Sequence, residues 1–275
     1  MSVATAAAVS SLLVLIASSA AAGDFECLIR PKATISLGIP AEGIIAQVHV
    51  DRGDRVEAGQ VLVELESKVE EARLAIARAR AAGKADFLSS EARARFADRA
   101  VDRQEELSLK SIISQVDLDE ARSSKELADA GLVEAREARH LAVLEVTRTQ
   151  AELERRVARS PVAGVVAERL MAPGEYVDAQ PVLKLAQVDP LNVEVFAPIS
   201  MLGRVQVGSK ARVKPEAPAG GVRLATVTAV DAVVDAASGT FGVRLEIPNP
   251  EYAVIAGLRC RVEFDEPTAA ESAAR

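Results

Sequence analysis

The side chains of this sequence that could do chemistry are few and scattered: His49 and His140, Cys27 and Cys260, and Met1, Met171 and Met201. Zinc sites gather His and Cys at short spacings and redox pairs sit as CxxC, and the sequence has neither arrangement. The methionines form no cluster, so copper or silver handling has no support. A general acid or base needs a neighbour to orient it. His49 lies in a β-type run and His140 in a helix-forming stretch, without such a neighbour nearby in sequence. His140, beside Ala and Leu, reads as a solvated or seam residue rather than a ligand. The expectation is a protein that is not an enzyme and holds no cofactor and no metal.

The elements that carry these residues follow from composition and pattern. The chain has 275 residues, 49% hydrophobic and 27% charged, with a net charge of −7. That allows one to three domains with a sizeable core. The charge is spread along the chain, which argues against a disordered acidic protein, and no basic patch suggests a nucleic-acid partner. Aromatics are 3% and Trp is absent, whereas ligand pockets usually draw on more aromatic area. Ala-, Arg- and Glu-rich chains of this kind are commonly long helices.

Residues 1–22 read as an export signal. From Ser2 to Ala22 no side chain is charged, Leu12-Leu13-Val14-Leu15-Ile16 forms the apolar centre, and Ala20-x-Ala22 offers a cleavage site. The apolar centre is too short for a stable membrane span. Cleavage is the preferred reading and an uncleaved anchor the alternative. Asp24-Phe25-Glu26 is not the small, apolar run that a lipoprotein cysteine at 27 requires. No second hydrophobic span follows, so the mature chain is expected to be exported and soluble.

An internal repeat comes next. Residues 39–65 and 160–185 match at a constant offset through Pro40/Pro161, Gly43/Gly164, Ala46/Ala167, Gly53/Gly174, Val56/Val177, Ala58/Ala179, Val61/Val182 and Leu62/Leu183. Each copy is an apolar run, a Gly turn (Arg52-Gly53-Asp54, Pro173-Gly174-Glu175) and a short β-type run. Gly43, Gly53, Gly164 and Gly174 are the expected structural turn positions. Ile44, Val48 and Val50 are expected on one strand face. Two such halves make one flattened β-sandwich, with 23–66 as its first half together with an N-terminal strand and 160–188 as its second.

Between the halves, residues 67–159 lack Pro, and only Gly83 and Gly131 interrupt a run of strong helix formers. Ala128, Leu132, Ala135, Ala142, Val146, Thr149 and Leu153 follow steps of three, four or seven, a narrow coiled-coil seam. Earlier, Phe96, Ala100, Arg103 and Leu107 keep the spacing, while Ile76, Ala79 and Gly83 follow another phase, which predicts a stutter. Because both flanks belong to one sandwich, the insert has to leave and return. Two antiparallel helices of about 40 residues, each roughly 60 Å long, turning near Ser108–Ser114, do this. Beyond Asp189-Pro190, short β-type runs separated by Gly, Pro or Asn predict a small antiparallel barrel over 189–266. Residues 267–275 read as a flexible tail. The fold class is α+β: a lipoyl-like sandwich (barrel-sandwich hybrid) split by a long antiparallel α-hairpin, then a small β-barrel.

This order resembles the periplasmic adaptor (membrane fusion protein, HlyD-type) family of tripartite efflux pumps. The resemblance rests on Gly43-x9-Gly53-Asp54-x-Val56-x2-Gly59-Gln60-x-Leu62, on Ser160-Pro161-x2-Gly164-x-Val166, and on Thr240-Phe241-x-Val243-x-Leu245 through Asn249-Pro250 to Ala256-Gly257. It implies a periplasmic subunit that couples an inner-membrane transporter, of the RND type by preference, to an outer-membrane channel protein, with about six copies side by side. The alternatives are an adaptor of an ABC-type or other exporter, and an exported coiled-coil envelope protein without a pump. True lipoyl domains carry a lipoyl-lysine on the turn that the helical insert replaces here; Lys68 merely starts the first helix, so cofactor carriage is not expected.

Arg103-x3-Leu107-x6-Ser114 matches the tip motif of adaptors that engage a channel. Arg103 and Leu107 are four apart, hence on one helix face, and Ser114 is placed to cap the second helix. Leu107, Leu109, Ile112 and Ile113 put apolar area on the tip, as a partner surface does. Glu91, Arg93, Arg95, Glu134, Arg136 and Arg139 either face neighbouring hairpins or form a solvated face. Cys27 and Cys260 either pair across the barrel or remain two separate buried thiols, the reading preferred here.

Overall fold

The computed structural model describes residues 24–265; the expected signal segment and tail lie outside the described residues. In chain order the elements are β1 (Phe25–Gly38), β2 (Gly43–Val48), β3 (Arg55–Val56), β4 (Val61–Leu65), α1 (Lys68–Ala82), α2 (Ala85–Leu109), α3 (Gln115–Glu154), β5 (Val157–Arg159), β6 (Gly164–Arg169), β7 (Tyr176–Val177), β8 (Pro181–Pro198), β9 (Lys210–Pro215), β10 (Arg223–Asp235), β11 (Thr240–Ile247) and β12 (Arg259–Phe264). The described residues form two compact units, one of Thr34–Ala186 and one of residues 24–33 together with 187–265.

In the first unit the sequence repeat becomes an exchange of strands. Val56 of the first copy lies opposite Gly164 of the second, and Val177 of the second lies opposite Gly43 of the first. The turns mirror each other too. Gly53 N–H donates to Val166 O (2.9 Å), and Gly174 N–H donates to Ile45 O (2.8 Å). Both glycines have positive φ, 95° and 89°, a conformation that costs Gly little and other residues more. Gly43 and Gly164 instead open strands β2 and β6. Each half thus completes the other's sheet. The shared core holds Ile45, Val56, Leu62, Val166, Val177 and Leu183, all buried.

One expectation on this sandwich needs correction. Ile45 is buried, while Ile44 is 42% exposed. The register between β2 and β4 shifts between Ile45 and Gln47, and such a bulge moves the inward face by one residue. Val48 and Val50 keep their inward places; Ile44 does not.

The insert is a hairpin, but its outgoing arm is two helices. α1 has 15 residues, α2 has 25, and the returning α3 has 40. The break falls at Gly83, whose φ of −61° and ψ of 129° leave the helix. The helical stretch closes at Glu154, short of residue 159, because Val157–Arg159 pairs with β4. Along α3 the seam is the expected one: Thr149 is buried, Ala128, Leu132, Ala135, Ala142, Val146 and Leu153 are half-buried, and buried Leu118 extends it toward the turn. Along α2 it is not. Ala94, Ala97 and Val101 are buried, whereas Phe96 is 62% exposed and Arg103 faces solvent. In α1 the buried positions are Glu70, Leu74 and Ala77, with Ile76 exposed. Alanines let two helix axes approach closely, and a Phe between them would force the axes apart. The largest apolar residue was therefore the wrong marker of the seam.

In the second unit the strand order is β1-β12-β9-β10-β11-β8, and β8 also pairs with β1. Arg30 on β1 reaches Glu194 on β8 (2.9 Å), and Asn192 Nδ2 donates to Lys32 O (3.4 Å). The six strands close into a small barrel, which leaves no open edge. Strand alternation fills it: Leu191, Val193, Val195, Phe241, Val243, Leu245, Val213 and Val262 are all buried. Asn249 braces the turn after β11, its side chain bonding Val188 O, Val254 O and Val254 N–H at 2.9–3.0 Å. Cys27 lies opposite Cys260 in the β1–β12 register, and the two are joined in a disulfide with Cα atoms 4.8 Å apart. The reading of two separate thiols is overturned, since strand register puts them face to face.

Candidate functional site: the hairpin tip

Two local motifs build the turn between α2 and α3. At the end of α2, Ile112 N–H donates to Leu107 O (3.0 Å) and Ser111 N–H to Ser108 O (2.9 Å), with Ser111 at φ 55°. This is the Schellman arrangement, here with serine at the left-handed position. At the start of α3, Ser114 Oγ accepts from Asp117 N–H (3.2 Å) and donates to Asp117 Oδ2 (2.8 Å), and Ser114 N–H donates to the same carboxylate (3.1 Å). That is a capping box, with Asp in place of Glu. The hydrogen bonds from Ser114 hold the Asp117 carboxyl below its ordinary value.

The turn displays apolar area rather than burying it. Leu109 is 88% exposed, Val116 74% and Ile112 65%, while Leu107 and Ile113 are half-buried. Val116 was missing from the sequence expectation, although it follows Ile112 by four and had that signal. Arg103 stands free in solvent one turn below, without a hydrogen bond or ion pair among the described residues. Of the expected tip set, Ser114 serves the turn itself, while Arg103, Leu109 and Ile112 are exposed. Part of the flank is paired within the hairpin, including Arg95 with Glu91 (3.9 Å) from the expected set. Arg122 meets Glu105 (2.8 Å), Lys125 meets Asp98, and Arg139 lies 5.5 Å over the Phe87 ring.

The other end of the hairpin is clamped, by residues that sequence reasoning missed. Arg156 bonds Glu70 (2.6 Å) and Glu42 O (2.7 Å), and Arg155 Nε bonds Pro40 O (3.0 Å). Gly43 makes room for this, since a Cβ there would lie 2.6 Å from Arg156 Nη1. A cleft of about 890 Å³ beside the clamp is lined by Glu42, Ile44, Val69, Tyr176 and Asp178. Next to it Glu42 keeps the Tyr176 hydroxyl above its ordinary value. His49 bonds Glu64 (3.1 Å) on the sandwich surface. Among the described residues no group of three or more His, Cys, Asp or Glu is placed to hold a metal ion, and no helix is long and apolar enough to cross a membrane.

Known proteins share this build. Residues 33–186 match the family described as "CzcB-like, barrel-sandwich hybrid domain", and residues 191–268 match "CusB-like, beta-barrel domain". The chain is 25% identical to the multidrug export protein AcrE of Escherichia coli K12 over 239 residues, covering 82% of this chain and 59% of that one. It is 24% identical to the multidrug efflux pump subunit AcrA of the same organism, covering 82% and 57%. It therefore spans less than two thirds of the length of these curated relatives. In fold it is similar to MacA from Actinobacillus actinomycetemcomitans, with a TM-score of 0.74 at 19% identity, covering 89% of this chain and 78% of that one. A sandwich split by a helical hairpin, followed by a barrel of this kind, places the chain in the membrane fusion protein family.

Proposed function

We propose that this chain is the periplasmic adaptor subunit of a tripartite efflux system. It is exported by its N-terminal signal and couples an inner-membrane transporter, of the RND type, to an outer-membrane channel, as a ring of six copies. The role is mechanical coupling without catalysis. The observation that carries it is the tip: a turn held by its own backbone that presents Leu109, Ile112 and Val116 to solvent beside an unpaired Arg103. In this reading Arg103 donates to carbonyls at the channel mouth and Leu107 fills the groove beside it. The names of the relatives, a multidrug export protein and an efflux pump subunit, support the same role. Exposed ion pairs contribute only about 0–1 kcal/mol each, so isolated copies are expected to associate weakly.

Transport in a host that depends on this chain tests the reading. Arg103→Asp and Leu107→Ser are expected to abolish export while secretion and helicity stay at the wild-type level. Wild-type transport in both variants would overturn tip docking. A tight hexamer of isolated protein in dilute solution would overturn the weak-association claim.

A further inference from the structure

β1 is the strand that completes the barrel, standing between β12 and β8. Its grip on β12 is short. Four register partners run from Phe25↔Val262 to Leu28↔Arg259, extended by Ile29 N–H to Leu258 O (2.9 Å) and Gly257 N–H to Ile29 O (2.7 Å). β8 and β11 match over eight residues. The disulfide lies on the short pairing, and it joins positions 233 apart in sequence. If β1 left, the edges of β12 and β8 would be open, and open edges invite pairing with other chains.

The bond is also hard to reach. Cys27 is 7% exposed and Cys260 2%, packed in the core with Ile29, Leu191, Val262 and Phe264. Thiol–disulfide exchange needs a thiolate with access to a sulfur of its partner, and although both cysteines border a surface cavity of about 260 Å³, their low exposure restricts that access. We propose that Cys27–Cys260 is a closure staple, and that the chain is a substrate of a protein disulfide carrier that acts before β1 docks. In the first step one cysteine thiolate attacks the carrier disulfide, forming a mixed disulfide and releasing one carrier thiol. In the second, the other cysteine thiolate attacks the mixed disulfide, forming the Cys27–Cys260 bond and releasing the second carrier thiol. Two electrons and two protons pass from the pair to the carrier, which leaves as a dithiol. The finished bond holds β1 in place and is itself shielded, so it persists as a structural bond and does not switch.

Two measurements on the full chain test this, and neither involves transport, so the adaptor reading stands or falls separately. Reduced, unfolded protein is refolded with an oxidised protein disulfide isomerase as the carrier present throughout, or with it added after folding, and bond formation is followed by mass spectrometry after alkylation. Burial predicts formation at least about 100-fold slower in the second case; equal rates overturn the proposed order of events. Hydrogen exchange then reads the staple in a Cys27→Ala/Cys260→Ala chain. The Ile29 amide is expected to exchange at least about tenfold faster than in the bonded protein while those of Val243 and Leu245 stay protected. Undiminished protection at Ile29 overturns the staple. If the variant does not fold, wild-type protein held in reductant supplies the same reading, and its failure to fold without the bond supports the staple.

Discussion

The two ends of the hairpin are built by opposite means. At the base, Arg155 and Arg156 reach residues 86 to 115 positions away, through backbone carbonyls and one largely buried carboxylate. At the tip, every bond of the turn is local, between residues three to five apart. The base uses its polar groups to fix the hairpin to its sandwich, and the tip leaves its apolar groups exposed. One turn below the tip the seam is imperfect, since Gln104 Oε1 is buried without a hydrogen-bond partner. Orientation is therefore set at one end, and if the tip docks as proposed, stability and transport should respond to mutation at opposite ends.

Arg156→Ala is the strongest way to break that division. It leaves the Glu70 carboxylate, whose side chain is 10% exposed, without its partner. Removing one member of a buried pair typically costs about 3–5 kcal/mol. Denaturant unfolding should show that loss, and a change within 0.5 kcal/mol or so, as for a surface residue, would mean the clamp holds nothing.

The seam comes second. Ala97→Leu places extra methylenes between α2 and α3 at a 7% exposed position, and overpacking typically costs about 1–3 kcal/mol. Phe96→Ala, one residue away and mostly exposed, should cost no more than about 0.5 kcal/mol. Thermal unfolding followed by helicity would separate the two, and the reverse order would restore the Phe96 seam.

Much of this was legible in the sequence, for identifiable reasons. The offset repeat forecast the paired glycines and valines because each pair occupies equivalent sites in two exchanged halves. The α3 seam was legible because Leu132, Val146 and Leu153 mark it with large apolar side chains. On α2 the seam is made of Ala94 and Ala97, and composition gives alanine no face of its own. The Ile44 reading failed at a bulge, which alternation cannot announce. The clamp was out of reach because Arg155 and Arg156 bond to main-chain carbonyls, whose positions depend on tertiary structure. The disulfide stayed open for a similar reason, since only strand register sets Cys27 opposite Cys260.

At the tip, Ser114→Ala removes the capping box, and loss of such a cap costs about 1 kcal/mol. The effect carries a pH signature. Asp117 is held below its ordinary value of 3.8 mainly by the Ser114 side chain. A depressed carboxyl stabilises the folded state above its unfolded pKa, and that contribution fades as pH falls through the lower folded value. The penalty of Ser114→Ala should thus be constant from neutral pH to about 5 and shrink below about 4. A penalty independent of pH would show that Asp117 is not part of the cap.

The smallest expected change in stability goes with the sharpest loss of function. Leu109 and Ile112 lie outside any core, at 88% and 65% exposure, so Leu109→Ser and Ile112→Ser should each move unfolding by no more than about 0.5 kcal/mol. If the tip docks by its apolar area, the same changes remove part of the buried contact, and a partner contact in a dry groove is worth about 25 cal/mol for each Å². A photo-crosslinking side chain at position 116, beside these two, should capture an outer-membrane channel protein from intact cells of the dependent host. The yield should fall sharply in the Leu109→Ser/Ile112→Ser chain with Arg103 unchanged. Undiminished capture with wild-type export would assign the exposed leucine and isoleucine to solvent and leave Arg103 to carry recognition. Lost capture in a chain of full stability would establish that the tip's apolar residues serve contact and the base serves the fold.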